Sequence, residues 1–230
     1  MNVTFYDLLL MPINSIRALS SMFIKPEGYE DIVVNGNTAE YNYKGKLVRL
    51  SSDAVTPTQL KNIINEIFVL QPYRNLDVKG KVVVDIGASI GDTAIYFALN
   101  GAKHVYAVEP GNSDRFGWIS KNIRGNGVAD KITILKGRYN QTSLAHIIKK
   151  YGLGNGLVLK MDCEGGEYGI LKEKPNTLKR FSHIDIEYHY GYRNLVGYLS
   201  KFFKINYTRP FYFPRHKMCV GYIRATKLGS

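Results

Sequence analysis

The run Val82-Val83-Val84-Asp85-Ile86-Gly87-Ala88-Ser89-Ile90-Gly91-Asp92-Thr93 places two glycines between two carboxylates. It reads as a buried strand turning sharply into a helix, the place where an open parallel sheet holds a cofactor. A dinucleotide loop would space its glycines G-x-G-x-x-G and keep anions off the turn, because the pyrophosphate rests on the helix N-terminus. Here the spacing is G-x-x-x-G, and Asp85 and Asp92 would repel a pyrophosphate. They would welcome a cation, such as the ammonium and sulfonium of S-adenosylmethionine, while Gly87 and Gly91 allow the backbone to approach closely. Glu109 ends the next apolar run 24 residues after Asp85, where a carboxylate would accept both ribose hydroxyls. The expected cofactor contacts are Asp85, Gly87, Ala88, Ser89, Gly91, Thr93, Glu109 and Pro110, with Asp162 joining from a later strand.

A second group is the candidate catalytic set. Asp162 and Glu164 stand at the end of a later apolar run, and Glu187 and His189, two apart, share a face near the end of the one after it. Methyl transfer needs the acceptor in line behind the methyl carbon, about 3 to 3.5 Å away. An acceptor that carries a proton must lose it during attack, which calls for a carboxylate or histidine base or for an acidifying metal. Asp162, Glu164, Glu187 and His189 would converge to do either, and Mg²⁺ or Mn²⁺ would suit their oxygen-rich donors. The residue types do not separate a metal cluster from a hydrogen-bonded acid-base pair, and His189 also fits a structural or substrate-binding role. Glu167 fits a helix N-terminus, where its charge meets the dipole. Neighbouring carboxylates would raise the Cys163 thiol and blunt it as a nucleophile.

These residues need a parallel sheet to bring them to one edge. After Gly80, apolar runs alternate with helical patterns, as in strands joined by crossover helices. Strands are expected at 82–86, 104–108, 132–135, 157–161, 183–188, 203–207 and 218–224, with helices at about 91–100, 113–124, 142–151, 165–172 and 191–202. This is an α/β Rossmann-like sheet of seven mostly parallel strands with helices on both faces. Residues 1–76 read as an N-terminal extension to a domain over 77–230. The extension comprises an amphipathic helix through Phe5 to Phe23, a β-meander over 29–52 and a capped helix begun by Thr56, Pro57 and Gln59. In the meander, Asn35-Gly36 is expected to supply both positive-φ residues of a hairpin turn, and Lys44-Gly45 marks a second turn.

VVVDIGASIGDTAIYFA, VYAVEPGNSDRFGWISKNI and LVLKMDCEGGEYGIL together resemble the FkbM family of class I S-adenosylmethionine-dependent methyltransferases, over roughly 80–190. The third block is the specific one: the family's Lys-Ile-Asp-x-Glu-Gly-x-Glu is met by Lys160, Met161, Asp162, Glu164, Gly165 and Glu167, with Met in place of Ile. Ser143-Leu144 matches the start of the family's preceding helix. The resemblance implies O-methylation of a hydroxyl on a sugar or other small molecule.

The chain has 230 residues, 45% hydrophobic and 22% charged, so its core can fold without staples, and only Cys163 and Cys219 could ever pair. It holds no apolar run long enough to span a membrane, and a soluble, cytoplasmic protein is expected. The net charge of +12 is uneven. Residues 1–70 hold six basic and seven acidic side chains, whereas 189–230 hold eight Lys or Arg, no acid and ten Tyr or Phe. A basic aromatic face suits single-stranded nucleic acid, which keeps an RNA or DNA methyltransferase as the alternative. Against it, amino-methylating enzymes of that kind resemble Asn- or Asp-Pro-Pro-aromatic where Asp162-Cys163-Glu164-Gly165 stands. A third reading is a binding protein that keeps the fold without the reaction.

Overall fold

Strands β1 (Val33–Asn35), β2 (Thr38–Tyr43) and β3 (Lys46–Ser51) form an antiparallel meander in a computed structural model that describes residues 26–111, 113–139, 143–207, 211–213 and 218–228. The amphipathic helix expected before residue 24 lies outside the described residues. The expected second turn of the meander is present, and there Lys44 and Gly45 both take positive φ (52° and 77°). The first turn departs from expectation: Asn35 pairs with Thr38, so the turn residues are Gly36 and Asn37, and Gly36 alone has positive φ. Burying Ala39 toward the core sets this register and draws Asn35 into the ladder.

The helix Pro57–Ile64 starts with the expected capping box, in which the Gln59 amide donates to Thr56 Oγ1 at 3.3 Å and the Thr56 amide to Gln59 Oε1 at 2.8 Å. It continues as a π-turn over Asn65–Val69, which carries Glu66. Leu60, Ile64 and Phe68 bury themselves in the same core as Tyr43 of the meander and Val83, Ala94 and Tyr96 of the body, so the extension packs directly on the sheet.

The parallel strands are β4 (Val82–Ile86), β5 (His104–Glu109), β6 (Ile132–Lys136), β7 (Leu157–Met161) and β8 (Phe181–Tyr188). Then β9 (Phe203–Tyr207) and β10 (Phe211–Phe213) occupy successive halves of the outer edge of β11 (Met218–Lys227), whose inner edge runs antiparallel to β8. The order β6-β5-β4-β7-β8-β11 followed by β9 and β10 makes seven lanes from eight strands, the expected sheet with its last lane broken. Val83 and Val158 bury on one face with the helices 57–64, 92–99 and 113–125, while Val84, Ile86 and Leu159 bury on the other with the helix 144–150. The strand order turns back between the parallel neighbours β4 and β7, and at such a switch point an open sheet offers a crevice at the carboxyl ends of its strands.

Beneath that crevice the register aligns Asp85, Lys160, Asp185 and Arg224 across four adjacent strands with alternating charge. Lys160 Nζ lies 3.1 Å from Asp85 Oδ1, and Arg224 Nε lies 2.7 Å from Asp185 Oδ2. One pleat nearer the edge, on the same face, stand Asp162, Glu187 and its cross-strand partner Tyr222. The segment expected as a helix over 165–172 winds as 3₁₀ turns, Gly166–Lys172. Glycines at 165, 166 and 169 weaken an α-helix there. A short helix at Pro175–Leu178 has no sequence expectation behind it, being too short to show a period.

Candidate active site

The β4 loop is built by contact between strands. Gly87 has φ 82°, and a Cβ on it would lie 1.7 Å from the Asp162 carbonyl oxygen, so glycine is required for β7 to pass. The Gly87 and Ala88 amides donate to the Val108 carbonyl at 2.9 and 3.2 Å. Gly91, at φ 92°, caps the helix Asp92–Leu99, and its close neighbour is Ile119. Glu109, almost fully buried, accepts from the Ser89 amide at 2.9 Å on Oε2 and pairs with Arg115 Nη1 at 2.9 Å on Oε1. Pro110 beside it is exposed.

Asp85 lies under this loop with no exposed surface. Thr93 Oγ1 donates to its Oδ2 at 2.6 Å, and Lys160 Nζ, beside its Oδ1, also donates to the Gly87 carbonyl at 2.9 Å. Burial alone would lower the Lys160 ammonium, but Asp85, Asp162 and Asp92 together raise it. Asp92 is the reverse case. It is 7% exposed, its Oδ1 has no hydrogen-bond partner among the described residues, and burial pushes its carboxyl up to about 7, Lys160 opposing and Asp85 reinforcing.

Across the crevice, β7 ends in Asp162, whose amide donates to the Ile86 carbonyl at 3.0 Å. Glu164 follows at φ 53° with its side chain 80% exposed. Glu167 turns back into the protein, fully buried, and accepts from the Gly165 amide at 2.8 Å, the His189 amide at 2.9 Å and His189 Nδ1 at 3.1 Å. Burial works against its charge, but the hydrogen bonds from the His189 ring and from backbone amides, with the His189 charge, together outweigh this and hold the carboxyl below its usual range. The other imidazole nitrogen, Nε2, lies 3.5 Å from Glu164 Oε2 and 3.8 Å from Asp162 Oδ1. Burial alone would lower His189, yet Glu167 first and then Asp162 and Glu187 raise it to about 9.

The structure therefore brings Asp162, Glu164 and His189 together, with ligand atoms all within 4.8 Å of one another. Glu187 stands just outside that triangle, pushed up to about 8 by burial and by the charges of Asp162 and Glu66. Cys163 is pushed up to about 12, by burial first and then by Glu167 and Asp162, so neighbouring carboxylates do blunt it. Sequence reasoning missed the roles of four residues. Glu167 stands in the first turn of the 3₁₀ segment, as expected, and in addition clamps the His189 ring. Glu66, open to solvent yet closely hemmed by protein, forms a wall of the crevice with Tyr73 and Tyr222. Nothing in a helical pattern marks a surface glutamate as a pocket wall; only the fold places it over β7.

Beside His189 opens a groove of about 480 Å³ lined by Tyr168, Tyr190, Tyr192, Arg193 and Asn194. The Tyr190 ring is 60% exposed, and Tyr168 fixes the rim by donating to the Gly191 carbonyl and accepting from the Tyr190 amide. A separate cavity of about 330 Å³, lined by Lys44, Arg74, Lys79 and Asn100, contains none of the clustered carboxylates. Of the C-terminal aromatics, Phe203 is core and Tyr192 stacks on Tyr207 with centroids 4.6 Å apart, so part of that basic, aromatic region is structural.

Solved structures share this fold. TrmK of M. capricolum, in complex with S-adenosyl-homocysteine, is 20% identical and superposes with a TM-score of 0.54 over 70% of this chain and 68% of its own. TYW2 of M. jannaschii, in complex with AdoMet, is 15% identical with a TM-score of 0.51 over 85% of this chain and 89% of its own. Among curated proteins, the probable histone-arginine methyltransferase 1.4 of Arabidopsis thaliana is 45% identical over 69 residues, 30% of this chain and 13% of that protein. Protein arginine N-methyltransferase 1.1 of the same plant is 30% identical over 132 residues, 54% of this chain and 31% of that protein. The chain thus spans less than a third of the length of either relative. Residues 138–205, which hold Asp162, Glu164, Glu167, Glu187 and His189, match the family model described as the methyltransferase FkbM domain. The resemblance read from the motifs therefore holds on the segment that builds the carboxylate and histidine cluster, where this chain, folded on a Rossmann-like sheet, is similar to the methyltransferase FkbM domain.

Proposed function

We propose that the chain is an S-adenosylmethionine-dependent methyltransferase that methylates a hydroxyl on a small molecule or saccharide. The observation that carries this reading is His189, clamped at Nδ1 by Glu167 and presenting Nε2 to the carboxyl edge beside the β4 loop. In this reading Glu109 receives the ribose hydroxyls and Asp92 receives the cofactor's ammonium, which relieves a buried carboxylate whose Oδ1 has no hydrogen-bond partner among the described residues. Asp85 works from below, holding Thr93 and Lys160 in place. The acceptor lies along the Tyr168–Tyr190 groove, whose exposed ring offers a sugar an apolar face. Docking a cationic cofactor beside His189 favours the neutral imidazole, and the Glu167 contact keeps the proton on Nδ1 so that Nε2 can take the hydroxyl proton. Most of the rate comes from fixing the hydroxyl in line with the methyl group.

A second reading is N-methylation of a guanidinium or amine. Glu66, Asp162 and Glu187 crowd one crevice, a cationic acceptor would relieve them, and curated relatives are named as arginine methyltransferases. Transfer of labelled methyl from S-adenosylmethionine to a panel of saccharides and arginine peptides separates the two. Label is expected on hydroxyls, with His189→Ala and Glu187→Ala sparing cofactor affinity and lowering turnover. Label confined to arginine peptides would replace the first reading with the second. Transfer only to RNA or DNA, steeply weakened by salt, would replace both.

A further inference from the structure

We propose that Asp162, Glu164 and the Nε2 nitrogen of His189 form a divalent-cation site at the mouth of the acceptor groove, with Glu167 as the carboxylate that orients the histidine ligand. Two oxygens and one imidazole nitrogen form a hard donor set with one borderline ligand, which suits Mn²⁺ and Mg²⁺. The separations fit. Donor atoms bound at about 2.1 Å around one ion stand roughly 3 to 3.5 Å apart when adjacent, and Nε2 lies 3.5 Å from Glu164 Oε2 and 3.8 Å from Asp162 Oδ1.

The histidine is the independent pointer to a ligand. Its side chain is 4% exposed, Nδ1 is engaged by Glu167, and Nε2 faces Glu164 and Asp162, within ion-pairing distance of both. A metal-bound imidazole commonly gives its second nitrogen to a carboxylate, the arrangement that Glu167 already provides. Charge agrees. Asp162, Glu164 and Glu167 surround the imidazole with negative charge, while Lys160 is paired with Asp85 below. Glu164, on the solvent side, leaves the remaining coordination positions open to water or to an acceptor oxygen from the groove. The inference rests on the hydroxyl-methylation reading for its role but not for its test, and it revises one part of that reading: Nε2 engaged by a cation could not also take the hydroxyl proton, and the cation would acidify the acceptor hydroxyl in its place.

The test is titration of the full chain with Mn²⁺ alone, followed by electron paramagnetic resonance and checked by calorimetry. One saturable site is expected. Glu164→Gln, at an exposed position that leaves folding untouched, and His189→Gln should each weaken it at least about tenfold, and Glu167→Gln, which also loses buried hydrogen bonds and should melt lower, should weaken it about 10- to 100-fold at a temperature where the variant is still folded. Glu187→Gln, outside the triangle, should leave one site near the wild-type affinity. No saturable Mn²⁺ at millimolar concentration, or Glu164→Gln and His189→Gln binding as the wild type does, overturns the inference. S-adenosylmethionine binding measured in EDTA keeps the two ideas apart: retained cofactor affinity without a Mn²⁺ site removes the metal and leaves the methyltransferase reading intact.

Discussion

Replacing Asp92 with asparagine should stabilise the empty protein and weaken its hold on the cofactor. The Asp92 carboxyl is raised from 3.8 to about 7, chiefly by burial, and its Oδ1 has no partner among the described residues. A shift of about 3 units corresponds to about 4 kcal/mol at most. Linkage fixes the sign. Because the folded form holds this proton more tightly than the unfolded chain, the contribution of Asp92 to stability is greatest below about pH 4, falls as pH rises toward 7, and carries the full penalty above that. An asparagine side chain cannot ionise, so Asp92→Asn removes the penalty but keeps a buried unpartnered amide worth about 1 to 3 kcal/mol. The net expectation is about 2 kcal/mol of added stability at pH 8, a rise in Tm of about 4 to 8 °C for a chain of this size, and no gain at pH 4. Thermal unfolding of both proteins at pH 4, 6 and 8 measures it, and calorimetry at pH 8 should show at least about tenfold weaker S-adenosylmethionine binding to the variant. Equal melting curves at every pH would refute the buried-charge argument, and unchanged cofactor affinity would refute the role given to Asp92.

Lys160→Met should cost about 3 to 5 kcal/mol in urea unfolding, because it leaves Asp85 charged and fully buried with only Thr93 for support. Adding Asp85→Asn to that variant should recover most of the loss, and a double variant as unstable as the single one would contradict the pairing. Gly87→Ala puts a methyl group 1.7 Å from the Asp162 carbonyl, so it should part β4 from β7 and abolish cofactor binding along with several degrees of Tm. A variant that binds S-adenosylmethionine normally would show that the loop yields. Thr56→Ala removes one half of the capping box and should lower stability by about 1 kcal/mol without touching cofactor affinity, measured by urea unfolding and calorimetry.

The sheet is legible in the sequence because its strands are long apolar runs between glycines, and burial on both faces leaves such runs no other use. The cluster at the carboxyl edge is half legible. Asp162, Glu164 and His189 stand at strand ends, where period and topology together predict convergence. Glu167 reads only as a helix-start charge because its partner His189 lies 22 residues away on the next strand, and a side chain's direction across a 3₁₀ turn has no sequence signature. Glu66 is invisible for a similar reason: a π-turn rotates it over β7, and its helical pattern shows only that Leu60 and Ile64 face inward. The ladder from Asp85 to Arg224 depends on register between strands far apart in the chain, which one sequence does not reveal.

The central claim is that the carboxyl edge between β4 and β7 is a working S-adenosylmethionine site. Calorimetric titration of the folded chain with S-adenosylmethionine tests it most directly. One saturable site is expected, lost in Glu109→Ala and retained in His189→Ala. No heat at millimolar ligand from a protein that unfolds cooperatively, or full binding to Glu109→Ala, would contradict it.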